Sequence, residues 1–389
     1  MTEKTKRQKD IYHGFEQGPI RPPSEAGSLL LRLTRNCPWN RCSFCPVYKS
    51  KTFSLRSVDN IKKDIDIVHS CLVKIIEEYE KKGGLEINRI NKISNGLGIR
   101  DRTAFNAAMQ WFSTGMESIF IQDANSLIMK PDNFIYILSY IKKQFPMAKR
   151  ITSYARSHTI VRIKVNDLKR IADAGLNRIH IGMESGSDTV LKMIKKGATK
   201  QVHIKAGVKI MNAGMELSEY VMPGLGGVEF SQEHAIESAD ALNQINPSFI
   251  RLRTLAVPER APIAKDYRKG RFQKCTDIMV AEEIKLFLEN LKKINSYIKS
   301  DHMLNLLEEV EGTMPCDKGK MLSVITEFLE LSPERKIWFQ MGRRMGLFRG
   351  ISDMNNTENL NRVKKACSLY NVNPDTIDSV IDQVMKRFV

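Results

Sequence analysis

The sequence predicts an α/β protein built on parallel strands, and two features indicate this fold class. From residue 28 onward, short apolar runs typical of strands alternate with segments in which apolar residues recur at helical spacing. Gly175 and Gly214 each follow a predicted helix end, where a glycine in the left-handed conformation stops a helix. Six strands separated by helices are typical of parallel βαβ units, and their spacing leaves open whether the sheet closes into a barrel.

Each predicted element follows from its local pattern. Leu29 begins an apolar run that favours a strand, and Ile61, Ile65 and Val68 share one face of the helix predicted after it. The predicted strands span residues 29–34, 118–122, 150–154, 177–183, 217–222 and 247–255. The predicted helices span residues 57–82, 131–145, 165–174, 188–196 and 232–244, with one more that ends at residue 212.

These elements divide the chain into three segments. Residues 1–27 are polar and contain several glycines and prolines, so we expect an extended lead-in with no core of its own. Residues 28–262 contain the βα units and form the predicted core domain. Residues 263–389 are rich in Leu, Ile, Glu and Lys at helical spacing, which predicts a mainly helical C-terminal extension.

The charge of the chain predicts contact with an anionic partner, because the formal net charge is +17 at pH 7. Nucleic acid, a phosphorylated or carboxylated substrate and an acidic electron-donor protein all fit this charge. The densest basic run spans residues 265–274, but charge runs are usually solvated faces, so nucleic acid is not favoured. The charged N-terminus and the lack of a long apolar run predict a cytoplasmic protein with no membrane contact.

Three of the seven cysteines, Cys37, Cys42 and Cys45, lie close together directly after the first predicted strand. Thiolates are soft ligands that suit zinc or an iron–sulfur cluster. A structural zinc site needs a fourth ligand, and the nearest candidates, His69 and Cys71, lie on a helix whose face is predicted to be core. Three cysteines without a local fourth suit a cubane cluster with one open iron, and the other cysteines are expected to be buried apolar residues.

The CX4CX2C loop after the first strand, with Phe44 before the third cysteine and βα repeats behind it, resembles the radical S-adenosylmethionine superfamily. Most members have CX3CX2C, so this loop carries one extra residue. The resemblance covers about residues 28–260. It implies a partial (β/α)6 TIM-like barrel in which Cys37, Cys42 and Cys45 each ligate one iron of a [4Fe-4S] cluster. The amino and carboxylate groups of S-adenosylmethionine would chelate the fourth iron.

The resemblance also implies where S-adenosylmethionine would be held. The expected contacts are Phe44, Gln122, Asp123, Asn125, Ser153, Glu184, Ser185, Met222, Gly224 and Arg253. Glu184 and Ser185 stand where the family usually brings a polar residue to the ribose, and the glycine-containing stretch 221–227 matches the backbone that passes the adenine. Ser153 and Arg253 are candidates for the methionine carboxylate. The turn at residues 122–125 departs from the family's Gly-Gly-Glu-like turn because it lacks glycines.

The implied chemistry is reductive cleavage of S-adenosylmethionine to a 5′-deoxyadenosyl radical that abstracts hydrogen from an unidentified substrate. A low-potential electron donor such as flavodoxin or ferredoxin would supply the electron, and an exposed cluster would need an anaerobic or protected setting. Two other hypotheses stay open. One is a radical enzyme that modifies RNA or protein and docks through its basic surface, and the other is a non-catalytic nucleic-acid-binding module stabilised by zinc or an iron–sulfur cluster. The sequence predicts no catalytic residue beyond the cluster.

Overall fold

The computed structural model describes residues 10–84 and 86–385 and divides into two compact units. The first unit contains the chain up to Pro38, residues 50–179 and residues 213–215. The second contains residues 39–49, residues 180–212 and the chain from Glu216 onward. Residues 1–9 of the predicted lead-in lie outside the described residues.

The first unit is built on three parallel strands with helices between them. Its strands are β1 (Leu29–Arg32), β2 (Thr34–Arg35), β3 (Ser54–Leu55), β4 (Ser118–Gln122) and β5 (Arg150–Tyr154). Its helices are α1 (Val58–Lys82), α2 (Ile87–Asn95), α3 (Ile99–Ser113), α4 (Pro131–Gln144), α5 (Ser157–Arg162) and α6 (Val165–Asp173). β4 pairs in parallel with β1, where Leu29 faces Ile119, and with β5, where Ser118 faces Arg150.

The helix α1 shows how the sequence pattern becomes packing. The Ser57 side chain accepts a hydrogen bond from the Asn60 N–H and so caps the first turn. Ile65 and Val68 are fully buried on the face that the sequence predicted to be apolar. The helix ends at Gly83, whose φ of 63° is the left-handed conformation that glycine adopts without strain.

The second unit contains the remaining strands and most of the helices. Its strands are β6 (Arg178–Glu184), whose first two residues belong to the first unit, β7 (Glu216–Val221), β8 (Phe249–Leu252), β9 (Tyr297–Lys299) and β10 (Gly312–Thr313). Its helices are α7 (Asp188–Met193), α8 (Lys200–Met211), α9 (Gly227–Ile245), α10 (Ile263–Arg268), α11 (Asp277–Asn290), α12 (Lys318–Glu330), α13 (Pro333–Arg344), α14 (Thr357–Leu369) and α15 (Ile377–Met385). β8 pairs in parallel with β7 and β9, and β10 is antiparallel to β9.

The predicted α/β class is confirmed, since all six predicted strands are present and β1 with β4, β4 with β5 and β7 with β8 pair in parallel. Gly175 and Gly214 have φ values of 112° and 82°, as the predicted helix stops require. The helix predicted over residues 188–196 ends earlier, at Met193. β9, inside the predicted helical extension, is a parallel strand that the sequence did not predict. The predicted domain boundaries stay predictions.

The helices of the described residues are also too short or too polar to cross a lipid bilayer.

Candidate functional site

The cysteine loop, residues 36–53, begins and ends in a short antiparallel ladder. Thr34 and Arg35 of β2 face Leu55 and Ser54 of β3, so the two ends of the loop are tied together. Cys37, Cys42 and Cys45 within it are partly exposed thiols rather than disulfides. The loop follows β1 almost at once, as the sequence predicted, at the end of the parallel strands where ligands of α/β proteins bind.

Asp123 fixes the residue that precedes the first cysteine. Its carboxylate accepts hydrogen bonds from the Arg32 Nε at 2.7 Å and from the Asn36 N–H at 2.9 Å. Asn36 has a φ of 67°, and its side chain donates to the Thr52 carbonyl across the loop. Because Asp123 is fully buried, this carboxylate is anchored by its partners inside the protein. Contact between Asp123 and S-adenosylmethionine stays a prediction.

The described part of the predicted lead-in braces the same loop through acidic side chains. Glu16 forms ion pairs with Arg32, Arg35 and Arg56 at 2.6–3.1 Å. Burial would raise the pKa of Asp10, but the Ser57 N–H and the Arg35 guanidinium outweigh it and hold that pKa at about 2. Ion pairs therefore attach the lead-in to β2 and to the segment after β3.

The amides of Gln122 and Asn125, which were predicted to contact the cofactor, form hydrogen bonds within the first unit. Gln122 donates to the carbonyls of Gly18 and Ile20 and accepts from the Gly18 N–H at 2.7 Å. Asn125 donates to Thr159 Oγ1 and accepts from the Arg156 N–H. Ser153, at the neighbouring end of β5, is fully buried. Contact of these side chains with a cofactor stays a prediction.

The second half of the cysteine loop is fastened to the end of α7. The Ser43 N–H donates to the Ile194 carbonyl, and Trp39 Nε1 donates to the Lys195 carbonyl at 2.8 Å. Gly197 has a φ of 69°, and a Cβ at this position would overlap the Trp39 indole ring. This close approach explains why glycine is needed at residue 197.

Lys196 connects two of the predicted site residues. Its ammonium group lies 2.9 Å from the Glu184 carboxylate and 5.7 Å from the centre of the Phe44 ring. Glu184 has a φ of 66°, and its carboxylate occupies the space where a Cβ of Gly182 would be. Phe44 and Glu184 were predicted from the resemblance, whereas Lys196 was missed because the sequence shows only a lysine near a helix end.

A second acid lies on the neighbouring strand. Glu219 of β7 is fully buried, and burial raises its pKa well above the usual range. Glu184 raises this pKa further, whereas Lys196 opposes the shift. Glu219 was missed because nothing in its local sequence pattern beyond its position in a strand distinguishes it.

The remaining predicted contacts lie in the turns after β6, β7 and β8. Ser185 and Met222 are buried, and the Met222 N–H donates to the Glu184 carbonyl at 2.9 Å. Gly224 has a φ of 82°, which favours glycine. Arg253 is exposed, and its backbone N–H donates to the Val221 carbonyl. The second unit thus brings the turns after β6 and β7 into direct contact.

The donor chemistry of the cysteine loop fits an iron–sulfur cluster, because three partly exposed thiols stand within nine residues of one loop. Across residues 10–84 and 86–385, no three His, Cys, Asp or Glu side chains are grouped as metal ligands would be. Ligation of a cluster by Cys37, Cys42 and Cys45 therefore stays a prediction. Cys71, Cys275 and Cys367 are buried as expected, but Cys316 is exposed.

Comparison with known proteins finds similarity to the radical SAM superfamily. The sequence profile of the radical SAM superfamily matches residues 106–239, which begin after the cysteine loop. The 4′-phospho-dehydrooxetanocin synthase of Priestia megaterium is 26% identical over 238 residues, which are 56% of this chain. That alignment spans only 26% of the relative's length.

Two solved structures of low sequence identity are also similar. Coproporphyrinogen III oxidase (HemN) from Escherichia coli, a radical SAM enzyme, is 13% identical with a TM-score of 0.45, over 68% of this chain and 52% of that one. Methylornithine synthase (PylB) is 12% identical with a TM-score of 0.43, over 71% of this chain and 66% of that one.

Proposed function

We propose that this chain, a member of the radical S-adenosylmethionine superfamily, is an enzyme that binds a [4Fe-4S] cluster through Cys37, Cys42 and Cys45 and cleaves S-adenosylmethionine reductively. When bound and reduced, the cluster supplies the electron that splits this cofactor into methionine and a 5′-deoxyadenosyl radical, which abstracts hydrogen from a substrate. The observation that carries the proposal is the loop itself. Three thiols stand in one segment whose backbone is tied at both ends and in the middle.

The side chains around the loop bind and orient the cofactor. Glu184, held in place by Lys196, would accept hydrogen bonds from the ribose hydroxyls, and Phe44 would offer its ring to a flat group. The backbone of residues 222–224 would pass the adenine, and Gly224 permits the left-handed turn there, with a φ of 82°. A buried, protonated Glu219 would add a hydrogen-bond donor on the neighbouring strand.

The positive net charge of the chain supports a proposal for the charge of the substrate and of the electron donor. The chain has a net charge of +17, which favours an anionic substrate and an acidic donor such as flavodoxin or ferredoxin. Ion pairs compensate part of the positive charge of the basic run at residues 265–274, since Lys274 pairs with Asp382 and Arg271 pairs with Asp266. The structure therefore gives no added support to nucleic acid as the substrate.

The experiment is an anaerobic assay of the reconstituted protein. Wild type is expected to bind about four irons per chain, to show a visible absorption band that bleaches on reduction, and to form 5′-deoxyadenosine with dithionite and S-adenosylmethionine. Cys42→Ala is expected to lose both iron and product.

The matched control is Cys316→Ala, which removes an exposed thiol outside the loop. It is expected to bind iron and form product as wild type does. A fully loaded wild type that forms no 5′-deoxyadenosine, or a Cys42→Ala variant as active as wild type, would overturn the proposal.

A further inference from the structure

A buried histidine links the turns after β6 and β7. His234, on α9, is 1% exposed, and its Nδ1 lies 2.8 Å from Ser185 Oγ. Its Nε2 lies 3.1 Å from the carbonyl oxygen of Met222. One imidazole therefore contacts both of the turns that carry predicted contacts to S-adenosylmethionine.

The partners of His234 fix its tautomer. A carbonyl oxygen only accepts hydrogen bonds, so Nε2 must carry the proton that it donates to Met222. Nδ1 then has a lone pair, which accepts the hydroxyl proton of Ser185. Burial lowers the pKa of His234 to about 4, so the ring keeps this neutral form at physiological pH.

A buried glutamate on α11 also bonds the turn after β7. Glu283 is 4% exposed, and its Oε1 accepts the Gly224 N–H at 2.7 Å. Its Oε2 accepts the Ser231 hydroxyl, which comes from α9. The Glu283 Oε1 also lies 3.6 Å from His234 Nε2, so the two side chains are neighbours.

A third contact completes this network. Ser238, one turn after His234 on α9, accepts the Gly186 N–H at 2.8 Å. Gly186 lies against the α9 backbone, where a Cβ would overlap the Glu237 carbonyl. We call His234, Ser238 and Glu283 the turn-anchoring network, because each bonds a backbone or hydroxyl group of the turn after β6 or of the turn after β7.

We propose that His234 and Glu283 are positioning residues that hold the turns at residues 184–186 and 222–224 in the arrangement that binds S-adenosylmethionine. The inference rests on the proposed function, because it assigns those turns to the cofactor. Each anchor satisfies a polar group of a turn, and neither is among the predicted contacts to the cofactor. Loosening an anchor should therefore weaken cofactor binding through the turn.

The ionisation of Glu283 gives the network a dependence on pH. Burial raises the Glu283 pKa to about 7, and the hydrogen bonds from Ser231 and Gly224 oppose the shift. The titratable groups near Glu283 are His234 and Cys275. Burial and the charge of Glu283 raise the pKa of Cys275 to about 12. Since both are neutral near pH 7, Glu283 is the group of this network that changes charge there. Its carboxylate is the stronger acceptor for the Gly224 N–H.

Hydrogen–deuterium exchange of the full reconstituted chain without S-adenosylmethionine tests the anchoring directly. Glu283→Leu is expected to increase exchange at residues 222–226 about tenfold, the equivalent of one lost buried hydrogen bond. Glu283→Gln keeps an acceptor for Gly224 and should restore wild-type exchange. His234→Phe should increase exchange in both turns.

The matched control is Asp277→Asn on the same helix, α11. Asp277 is a buried acid whose partner is Arg344 rather than either turn. This variant should lower overall stability without a selective increase in exchange at residues 184–186 or 222–226. Comparing it with Glu283→Leu separates anchoring of the turns from a general loss of stability.

Anaerobic equilibrium dialysis of S-adenosylmethionine tests the consequence. Glu283→Leu and His234→Phe should raise its dissociation constant about tenfold, whereas Asp277→Asn should leave it unchanged. The ratio of wild-type to Glu283→Gln affinity should increase between pH 6 and pH 8 as Glu283 ionises.

The two measurements separate the two proposals. A wild type that binds no S-adenosylmethionine would refute the proposed function and the cofactor part of this inference, while the exchange data would still decide the anchoring. Exchange at residues 184–186 and 222–226 that is the same in Glu283→Leu, His234→Phe and Asp277→Asn would overturn the inference. So would wild-type affinity in both network variants.

Discussion

Asp123 is a buried side chain that bonds directly to the backbone at the start of the cysteine loop. It is fully buried, and it bonds both the Arg32 guanidinium and the Asn36 N–H. Removing its charge would leave Arg32, which is 13% exposed, bonded to Glu16 and to the Asn36 side chain. The cost of breaking this buried pair is at the lower end of the usual range, because Glu16 still compensates the Arg32 charge in part.

Asp123→Asn should therefore lower the free energy of unfolding by about 3 kcal/mol. The variant should also bind less iron on reconstitution, because Asn36 directly precedes Cys37. Urea unfolding and iron content measure the two effects. Asp66→Asn, at an exposed acid on α1 that bonds Tyr140, is the control and should change neither by much. Wild-type stability in Asp123→Asn would show that the Arg32 pair contributes little.

The sequence predicted site residues where a family pattern marks them and missed those that act through tertiary contacts. Phe44 and Glu184 were named, and the structure brings both to Lys196. Nothing in the sequence distinguishes Lys196 from a solvated lysine, because its partners come from another strand and from the cysteine loop. His234 and Glu283 likewise lie on helices whose apolar pattern indicates only burial.

At the scale of secondary-structure elements, the end of α7 shows why a predicted boundary was wrong. The apolar spacing continues to Ile194, beyond the end of α7, but Lys195 and Gly197 both have positive φ, at 55° and 69°. The chain turns there so that the Lys195 carbonyl can accept the Trp39 indole N–H. Lysine has no preference for the left-handed conformation, so the presence of Lys195 in the sequence does not predict this turn. β9 was missed because three residues carry too little pattern.

Gly197→Ala should disrupt this junction more than the same change at another positive-φ glycine. At Gly197 the added methyl group meets the Trp39 ring, whereas at Gly214, with a φ of 82°, nothing lies within 4 Å. Gly214→Ala should cost only the backbone strain, about 1 kcal/mol. Gly197→Ala should cost more and shift the tryptophan fluorescence. Equal unfolding free energies for the two variants would argue against tight packing between Trp39 and Gly197.

Across the whole molecule, a few buried titratable groups set how stability changes with pH. Burial lowers the pKa of His234 to about 4, and burial together with Arg253 does the same for His302. Between pH 4 and 6.5 the unfolded chain therefore binds more protons at these histidines, so their contribution to stability increases with pH. Glu283 acts in the opposite direction. The pKa of Glu283, about 7, exceeds the ordinary value of 4.5. The contribution of Glu283 to folding stability is therefore lost as the pH rises from 4.5 to about 7.

Glu283→Gln removes the opposing group and leaves both histidines in place. The unfolding free energy of the variant minus that of wild type should therefore increase between about pH 4.5 and pH 7 and stay level above it. The total change should be roughly 3 kcal/mol, as a shift of this size implies. Urea unfolding of both proteins at a series of pH values measures the difference. A difference that does not change with pH would show that Glu283 ionises normally in the folded chain, which would remove the pH dependence of the turn-anchoring network but not its hydrogen bonds.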